Sequence, residues 1–271
     1  MLINGAPGDK LDIHDRGLMY GDGVFRTLCI RGGQPQHWAR HYRKLHHDCA
    51  ALDLPCPEAE LLVAELRQLS ALRAEDGVAK IIVTRGRSER GYAPPSPVSP
   101  TRILSLAGLP DFPDNYRSQG ISLRLCDLRL SHQPRLAGVK HLNRLENVMA
   151  AAEWKDPGIA EGLLLDMAGN VIEGTRSNLF LVHNGGLLTP DLSRCGVAGV
   201  QRERIMEWAA RQHVPCTVAE LSIDDVLAAD EVFLVNSVIG LWPVHSLLER
   251  SWNCFSLSQR IGDWLGDETT D

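Results

Sequence analysis

The chain has 271 residues, of which 44% are hydrophobic and 23% charged, a composition typical of globular proteins and not of disordered or fibrous ones. A net charge of −6 argues against nucleic-acid binding, which needs a basic surface. No apolar run approaches the roughly 20 residues of a membrane-spanning helix, and the first residues lack the apolar core of a signal peptide. We therefore expect a cytoplasmic protein that binds neither nucleic acid nor membrane.

Seven cysteines are scattered along the chain, and no two of them have the C-x-x-C spacing of a metal or redox motif. An odd, scattered set is typical of reduced intracellular thiols. The sequence therefore predicts neither a disulfide framework nor a metal site.

The N-terminal part of the chain predicts a sheet covered by two helices. In chain order, the pattern predicts strands at 1–4 and 24–30, helices at 37–52 and 58–72, and strands at 78–84 and 102–106. A Gly32-Gly33 pair indicates a hairpin after the second strand. Residues 85–100 are rich in Arg, Gly, Ser and Pro and predict a long loop, which in a compact domain is often functional.

The remaining chain continues the alternation of strands and helices. In chain order, we predict an apolar segment at 121–127, an irregular stretch at 125–139, a helix at 143–154, strands at 162–166, 171–173 and 178–183, a helix at 199–212, a strand at 214–218, a short helix capped by Ser222, a strand at 231–236 and a helix at 255–265. This pattern predicts a mixed α/β (α+β) protein. A polar stretch at 110–120 suggests two domains, 1–112 and 113–271.

Three segments carry groups with useful chemistry. Lys140 lies just before a predicted helix, Glu173 ends a short apolar strand, and a glycine-bearing loop at 195–199 runs straight into a helix, where free amides can bind phosphate. Ser237 follows the strand at 231–236 and adds a hydroxyl. Each signal alone is more often structural, but an amine, a carboxylate and a phosphate-binding loop together suit pyridoxal phosphate.

The order of four motifs makes this interpretation specific. The segments GVKHLNRLENV, VIEGTRSNLF, GVAGVQRERI and DEVFLVNSVIGLWPV, with the opening INGAPGDKLDIHDRGLMYGDGVFRTL, resemble the fold-type IV pyridoxal phosphate enzymes over nearly the whole chain. These include branched-chain aminotransferases, D-amino acid aminotransferases and 4-amino-4-deoxychorismate lyases. The resemblance implies a small N-terminal α/β sandwich domain, a larger C-terminal α/β barrel-like domain, pyridoxal 5'-phosphate in the cleft between them, and a homodimer.

The resemblance also implies roles for individual residues. Lys140 matches the Schiff-base lysine, and Glu173 matches the carboxylate that faces the pyridine nitrogen. Val200 and Gln201 match the loop whose amides hold the phosphate, and Ser237 matches a hydroxyl on the same phosphate.

One position departs from the family pattern. The family usually has an arginine in H-x-x-R-L on the first long helix, but Lys44 stands at that position here. Either Lys44 or the neighbouring Arg43 would therefore meet the phosphate, and lysine cannot bind it bidentately as arginine can. Asn178, five residues after Glu173, is a further expected cofactor-binding residue.

Two segments favour the lyase branch of the family. The sequence KHLNRLENV and the loop RGRSERGYAPP at 85–95 are similar to their lyase counterparts. Such a lyase converts 4-amino-4-deoxychorismate into 4-aminobenzoate and pyruvate for folate biosynthesis, with Lys140 taking the C4 proton before the enolpyruvyl group is eliminated. Alternatives are a D-amino acid or branched-chain aminotransferase, and a non-catalytic relative that binds a partner.

The implied substrate carries two carboxylates, which arginines would bind. Arg90 is the first choice for this role, with Arg26 and Arg85 behind it. Tyr92 and Thr27 are further expected substrate contacts.

Overall fold

The computed structural model describes residues 1–73 and 75–267. The chain forms two compact units. The first consists of Met1–Pro110 together with Val139–Asn143, and the second consists of Asp111–Gly138 and the described residues from Arg144 onward. The five-residue segment that contains Lys140 therefore clusters with the first unit, although the chain on either side of it belongs to the second.

The described part of the first unit contains six strands and three helices. In chain order they are β1 (Leu2–Ile3), β2 (Ala6–Pro7), α1 (Arg16–Tyr20), β3 (Gly23–Arg31), β4 (Gln34–Pro35), α2 (Trp38–Ala51), α3 (Ala59–Ala71), β5 (Gly77–Thr84) and β6 (Thr101–Gly108).

The strands of the first unit form one antiparallel sheet in the order β2-β1-β6-β5-β3-β4. Side chains alternate along β3, so Val24 and Leu28 point to one face and are fully buried. They pack in one core with Leu45 of α2 and Leu66 of α3. The two helices therefore cover one face of this sheet.

The described part of the second unit contains nine strands and five helices. In chain order they are α4 (Asn115–Gln119), β7 (Ile121–Leu130), α5 (Leu145–Ala151), β8 (Ile159–Asp166), β9 (Val171–Gly174), β10 (Asn178–His183), β11 (Gly186–Pro190), α6 (Val200–Arg211), β12 (Cys216–Ala219), α7 (Ile223–Ala228), β13 (Glu231–Asn236), β14 (Gly240–Leu247), β15 (Arg250–Ser251) and α8 (Ser256–Asp267).

The nine strands form a mixed sheet. Its main path is β12-β11-β10-β13-β14-β7-β8-β9, and β15 pairs with β14. The pairs β11–β12, β14–β7 and β7–β8 are parallel, and the others are antiparallel. Adjacent strands β10 and β13 stack Phe180 on Phe233, with ring centroids 5.2 Å apart, and apolar residues of α6 and α8 join their cluster.

The structure confirms the predicted mixed α/β class and the loop at 85–100, which connects β5 to β6. It also corrects some predicted elements. The stretch predicted as irregular at 125–139 begins with the end of β7, which runs to Leu130. The elements α1, β11 and β14 were not predicted, and the helix predicted at 143–154 is α5, only seven residues long. Among the described residues, no helix is long and apolar enough to cross a membrane.

Candidate active site

The Lys140 segment lies beside the start of β3. The Phe25 amide donates to the Lys140 carbonyl oxygen at 2.9 Å, and the Leu142 amide donates to the Gly23 carbonyl oxygen at 2.9 Å. Val24 and His141 form an antiparallel bridge. The Lys140 side chain is half-buried, and its Nζ lies 4.6 Å from the Phe25 ring centroid. The backbone carrying this amine is therefore held by a sheet-like pairing and not by a free loop.

Asp48 is a second anchor of Lys140. It lies on α2, its side chain is fully buried, and its Oδ2 accepts the Lys140 backbone N–H at 3.1 Å. The same oxygen accepts a hydrogen bond from Arg26 Nη2, which also donates to the Lys44 carbonyl oxygen at 3.2 Å. A buried carboxylate needs such partners because an unpaired charge in the interior is costly. Asp48 was not predicted to have a role, although a charged residue on the buried face of an amphipathic helix is a signal that the sequence contains.

His41 shares the buried face of α2 with Asp48. Burial, together with the positive charges of Arg26 and Lys140 and the nearby His37, lowers the pKa of His41 to about 3. His41 is therefore neutral at physiological pH and adds no positive charge near Lys140.

Lys44 and Arg43, the two candidates for the positive charge that meets the phosphate, occupy different positions on α2. Lys44 is half-buried at the border of the helix's buried face, whereas Arg43 is exposed. Consecutive residues on a helix point about 100° apart, so the two side chains cannot share one direction.

Glu173 lies on β9 and is 4% exposed. Its Oε2 accepts the Val197 N–H at 2.8 Å. The loop that contains Val197 is also fixed by two backbone hydrogen bonds to Gly138: the Gly138 amide donates to the Gly196 carbonyl oxygen at 2.9 Å, and the Ala198 amide donates to the Gly138 carbonyl oxygen at 3.1 Å. A buried carboxylate is thus joined directly to the loop that precedes α6.

Asn178 fixes the last residues of that loop. Its Nδ2 donates to the Val197 carbonyl oxygen at 2.7 Å, and its Oδ1 accepts the Gly199 N–H at 3.0 Å. A Cβ at Gly199 would collide with Asn178 Oδ1, so any larger residue there would displace the side chain that makes these two hydrogen bonds. Helix α6 begins at Val200, followed by Gln201, and both side chains are buried. The first amides of a helix have no acceptor within the helix, so they are available to an anion.

Ser237 lies in the turn between β13 and β14 and is half-buried. Asn236 orders this turn, since its Oδ1 accepts the amides of Val238 at 2.8 Å and Ile239 at 2.9 Å. The Asn236 Nδ2 donates to the Arg176 carbonyl oxygen at 3.1 Å. The Ser237 hydroxyl is therefore presented from a turn with a defined backbone.

Arg16, on α1, is a residue that the sequence patterns did not single out. Its guanidinium is buried and donates to Ser88 Oγ at 3.1 Å and to the carbonyl oxygens of Gly91 at 3.0 Å, Tyr92 at 2.8 Å and Ala93 at 3.3 Å. One side chain thus holds a large part of the loop at 85–100. Its only signal in the sequence was its place in the opening segment that resembles the family.

Arg85 performs a related task at the start of the loop. Its Nε donates to Asp22 Oδ2 at 2.8 Å, and its other nitrogens donate to the carbonyl oxygens of Leu52 and Asp53 at 2.6 and 3.0 Å. Arg16 donates to the same Asp22 oxygen at 2.8 Å. Although burial alone would raise it, the pKa of Asp22 is lowered by these two guanidinium groups.

The expected substrate-binding residues all lie in the first unit but in different surroundings. Arg90 and Tyr92 are exposed on the loop, where Tyr92 packs 5.3 Å from the Tyr20 ring of α1. Thr27 is half-buried on β3, and Arg26 and Arg85 are buried in the contacts described above. The substrate-binding roles of these residues stay predictions.

Comparison with known proteins shows to which family the chain belongs. The sequence profile of the family described as Amino-transferase class IV matches residues 23–247. The chain belongs to this family, as its motif order indicated.

Two similar proteins narrow the comparison. The chain is 35% identical over 245 residues to aminodeoxychorismate lyase of Vibrio harveyi, covering 90% of each chain. It superimposes on the crystal structure of 4-amino-4-deoxychorismate lyase from Pseudomonas aeruginosa with a TM-score of 0.95 and 48% identity, covering 98% of each chain.

Aminotransferases are similar at lower identity. A D-alanine aminotransferase of Bacillus licheniformis is 27% identical over 255 residues, covering 91% of this chain and 88% of its own. The branched-chain amino acid aminotransferase of Escherichia coli shares the fold, with a TM-score of 0.86 at 22% identity, covering 97% and 91% of the two chains. The predicted fold-type IV architecture is therefore confirmed.

Proposed function

We propose that the protein is a pyridoxal phosphate-dependent lyase that converts 4-amino-4-deoxychorismate into 4-aminobenzoate and pyruvate. The observation that carries the proposal is the 48% identity to a 4-amino-4-deoxychorismate lyase over 98% of both chains. The identity to the similar aminotransferases is lower, at 22–29%. The proposal keeps the predicted domains, 1–112 and 113–271.

The described residues fit pyridoxal 5'-phosphate chemically. Lys140 is a primary amine on an ordered backbone, Glu173 is a buried carboxylate suited to a protonated ring nitrogen, and the amides at Val200 and Gln201 begin a helix. The two hydrogen bonds that Asn178 makes with Val197 and Gly199 fix the backbone just before those amides. Ser237 is assigned to the same phosphate as a hydroxyl donor.

Lys44, and not Arg43, is the better residue for the remaining phosphate charge. Lys44 borders the buried face that also carries Asp48, and Asp48 holds the Lys140 backbone. Arg43 is exposed on another side of the helix. A lysine in place of the family's arginine supplies a point charge without a bidentate fork.

When bound, the cofactor supplies the electron sink that stabilises a carbanion. Glu173 keeps the proton on the ring nitrogen, because an ionised carboxylate favours the protonated form of a neighbouring base. The neutral amine of Lys140 takes the proton from C4 of the substrate as a general base. The bond from C3 to the enolpyruvyl oxygen then breaks, the ring becomes aromatic, and the leaving enol takes up a proton to become pyruvate.

The two substrate carboxylates require cationic groups outside the buried ion pairs. Arg90 is exposed on the loop that Arg16 holds, so we assign it to one carboxylate. Thr27 and Tyr92 are assigned as further substrate contacts. Arg26 and Arg85 are weaker candidates than Arg90, since their guanidinium groups contact Asp48 and Asp22.

A cytoplasmic location, a role in folate biosynthesis and a homodimeric assembly complete the proposal. The likeness to the two lyases supports the pathway, because 4-aminobenzoate is a folate precursor. Light scattering of the purified protein tests the assembly: a mass of twice 29.9 kDa is expected, and a monomer would contradict it.

A product assay tests the function. The purified holoenzyme is incubated with enzymatically made 4-amino-4-deoxychorismate, without any keto acid, and 4-aminobenzoate fluorescence is followed together with pyruvate. Equimolar formation of both products is expected. A yellow protein that makes neither product, but transfers an amino group from D-alanine to 2-oxoglutarate, would establish an aminotransferase instead.

Two lysine variants locate the reacting amine. Lys140→Ala should abolish turnover. It should also abolish the visible absorbance that the bound cofactor has only when it is linked to the lysine amine. Lys80→Ala is the matched control, because Lys80 Nζ lies 5.0 Å from the same Phe25 ring but its side chain is exposed. Retained turnover in Lys140→Ala, or loss of both signals in Lys80→Ala alone, would contradict the assignment.

A further inference from the structure

Two cysteines of the first unit lie in direct contact. The thiols of Cys49, on α2, and Cys56, in the segment before α3, are within hydrogen-bonding reach of each other. Cys49 is fully buried, and Cys56 is half-buried against the same apolar core. Neither residue has a role in the proposed reaction.

The end of α2 explains why residues seven positions apart meet. The Asp53 amide donates to the Ala50 carbonyl oxygen at 3.1 Å, and the Leu54 amide donates to the Cys49 carbonyl oxygen at 2.9 Å. Asp53 has a φ of 49°, in the left-handed region. This is the hydrogen-bond pattern of a Schellman motif, which reverses the chain at a helix end, and the buried Leu54 supplies its apolar contact. The reversal carries Cys56 back towards the last turn of α2.

The surroundings make the two thiols unequal. The hydrogen bond from Cys49 lowers the pKa of Cys56, and the Tyr42 hydroxyl beside it acts in the same direction. The partner Cys56 and burial both raise the pKa of Cys49. Cys56 is thus the more accessible sulfur and the one with more thiolate character, while Cys49 is held next to it in the core.

We propose that Cys49 and Cys56 form an oxidation site at which hydrogen peroxide converts the thiol pair into an intrachain disulfide. The Cys56 thiolate attacks one peroxide oxygen, the O–O bond breaks, and the leaving hydroxide takes a proton, so that Cys56 becomes a sulfenic acid. Cys49 loses its proton and attacks the Cys56 sulfur. The S–S bond forms, the S–O bond breaks, and the oxygen leaves as water. Two thiols are oxidised, and one peroxide is reduced to two waters.

The test uses the holoenzyme and hydrogen peroxide. After treatment, the protein is unfolded, remaining thiols are alkylated, and peptides are identified by mass spectrometry with and without a reductant. A reductant-sensitive link between the Cys49 and Cys56 peptides is expected, with the loss of two of the seven thiols. Cys254→Ser removes an exposed cysteine and should leave this result unchanged, whereas Cys56→Ser should abolish the link.

A second measurement on the unmodified protein does not depend on a variant that folds. Cys56 and Cys216 are both half-buried, but burial raises the pKa of Cys216, whereas the pKa of Cys56 is lowered. Brief alkylation at neutral pH should therefore label Cys56 before Cys216. Slower labelling of Cys56, or peroxide oxidation that spares the pair and modifies Cys254 alone, would overturn the proposal.

Discussion

At the scale of a single residue, the buried carboxylate of Glu173 has two separate effects. Its side chain is 4% exposed, and the Val197 amide donates to one of its oxygens at 2.8 Å. That amide belongs to the loop before α6, so the carboxylate both orders the loop and brings a negative charge into the second unit. The first effect needs only an acceptor, whereas the second needs an ionised group.

Glu173→Gln separates these two effects. The amide oxygen of glutamine can still accept from Val197, so cofactor content should stay close to that of the wild type. Turnover should fall by about 100-fold or more, because a neutral amide cannot keep the ring nitrogen protonated. Cofactor content is measured by absorbance and turnover by 4-aminobenzoate release.

Glu153→Gln is the control for this variant. Glu153 is a half-buried carboxylate of the same unit whose oxygens accept the amides of Asp127 and Leu128 at 2.7 and 2.9 Å. It has no role in the proposed site, so its turnover should stay within about twofold of the wild type. Near-normal turnover in Glu173→Gln would remove Glu173 from its assigned role.

At the scale of elements, α1 controls the loop at 85–100. This five-residue helix is capped by Asp15, whose Oδ1 accepts the Gly17 N–H at 2.8 Å and whose Oδ2 accepts the Thr84 hydroxyl at 2.9 Å. Arg16 and Tyr20 then project from α1 to the loop. The loop that carries Arg90 is therefore fixed by a neighbouring helix, although it has no helix or strand of its own.

Arg16→Lys should loosen this loop without removing a positive charge. A lysine cannot reproduce the several hydrogen bonds that the guanidinium makes to Asp22, Ser88 and the loop carbonyl oxygens. We expect KM for the substrate to rise about tenfold with a smaller change in kcat, because Arg90 is displaced while Lys140 is not.

The matched control is Arg87→Lys. Arg87 lies on the same loop, but its side chain is exposed and forms an ion pair with Asp12 at 3.6 Å. Exposed ion pairs contribute little, so KM should stay near the wild-type value. An unchanged KM in Arg16→Lys would show that the loop does not position the substrate.

At the scale of the whole molecule, several titrating groups make the free energy of unfolding depend on pH. His41 is buried and neutral, with a pKa lowered from 6.5 to about 3 mainly by burial. Below pH 6.5 the unfolded chain takes up a proton there that the folded chain does not, so acid favours unfolding. The pKa values of Glu153 and Asp166 are lowered, because hydrogen bonds to these carboxylates outweigh the opposite effect of burial. Their contribution is present above their ordinary values and is lost as pH falls below about 4.

The free energy of unfolding should therefore fall in two stages. Between pH 6.5 and 4.5 we expect a loss of about 2 kcal/mol from His41, followed by a steeper loss below pH 4 as the carboxylates are protonated. Urea unfolding followed by far-UV circular dichroism at a series of pH values measures both. The free energy of unfolding of His41→Gln should not change between pH 6.5 and 4.5. His46→Gln alters an exposed residue of the same helix and should show the same pH dependence as the wild type.

Much of this fold could be predicted from the sequence because its main strands and helices have clear apolar periodicity. The elements that were missed lack it. Helix α1 contains Gly17 in its first turn, and β14 contains Pro243, which normally argues against a strand in the middle of a sheet. On one side of β14, Pro243 pairs with Phe233 of β13. On the other side, the parallel pairing with β7 begins only at Val244, so the proline lies outside that pairing and is tolerated.

The site was predictable where a motif carried it and not where tertiary contacts did. Lys140 and Glu173 stand in recognisable motifs. Asp48 and Arg16 act through partners distant in sequence, 92 positions away for the Asp48–Lys140 contact and 76 for Arg16–Tyr92. No local pattern encodes such pairs, which arise only when the chain is folded.

The path of the chain has a consequence for dissecting the protein. Val139–Asn143 belong to the first unit, although the residues that flank them belong to the second. A gene fragment ending at Pro110 would encode β3 without the segment that pairs with its start, and without Lys140. The complementary fragment would encode Lys140 without Asp48 or Phe25, which hold it. The break therefore leaves the first unit incomplete, and exchanging segments between relatives at residue 110 would separate Lys140 from the residues that position it.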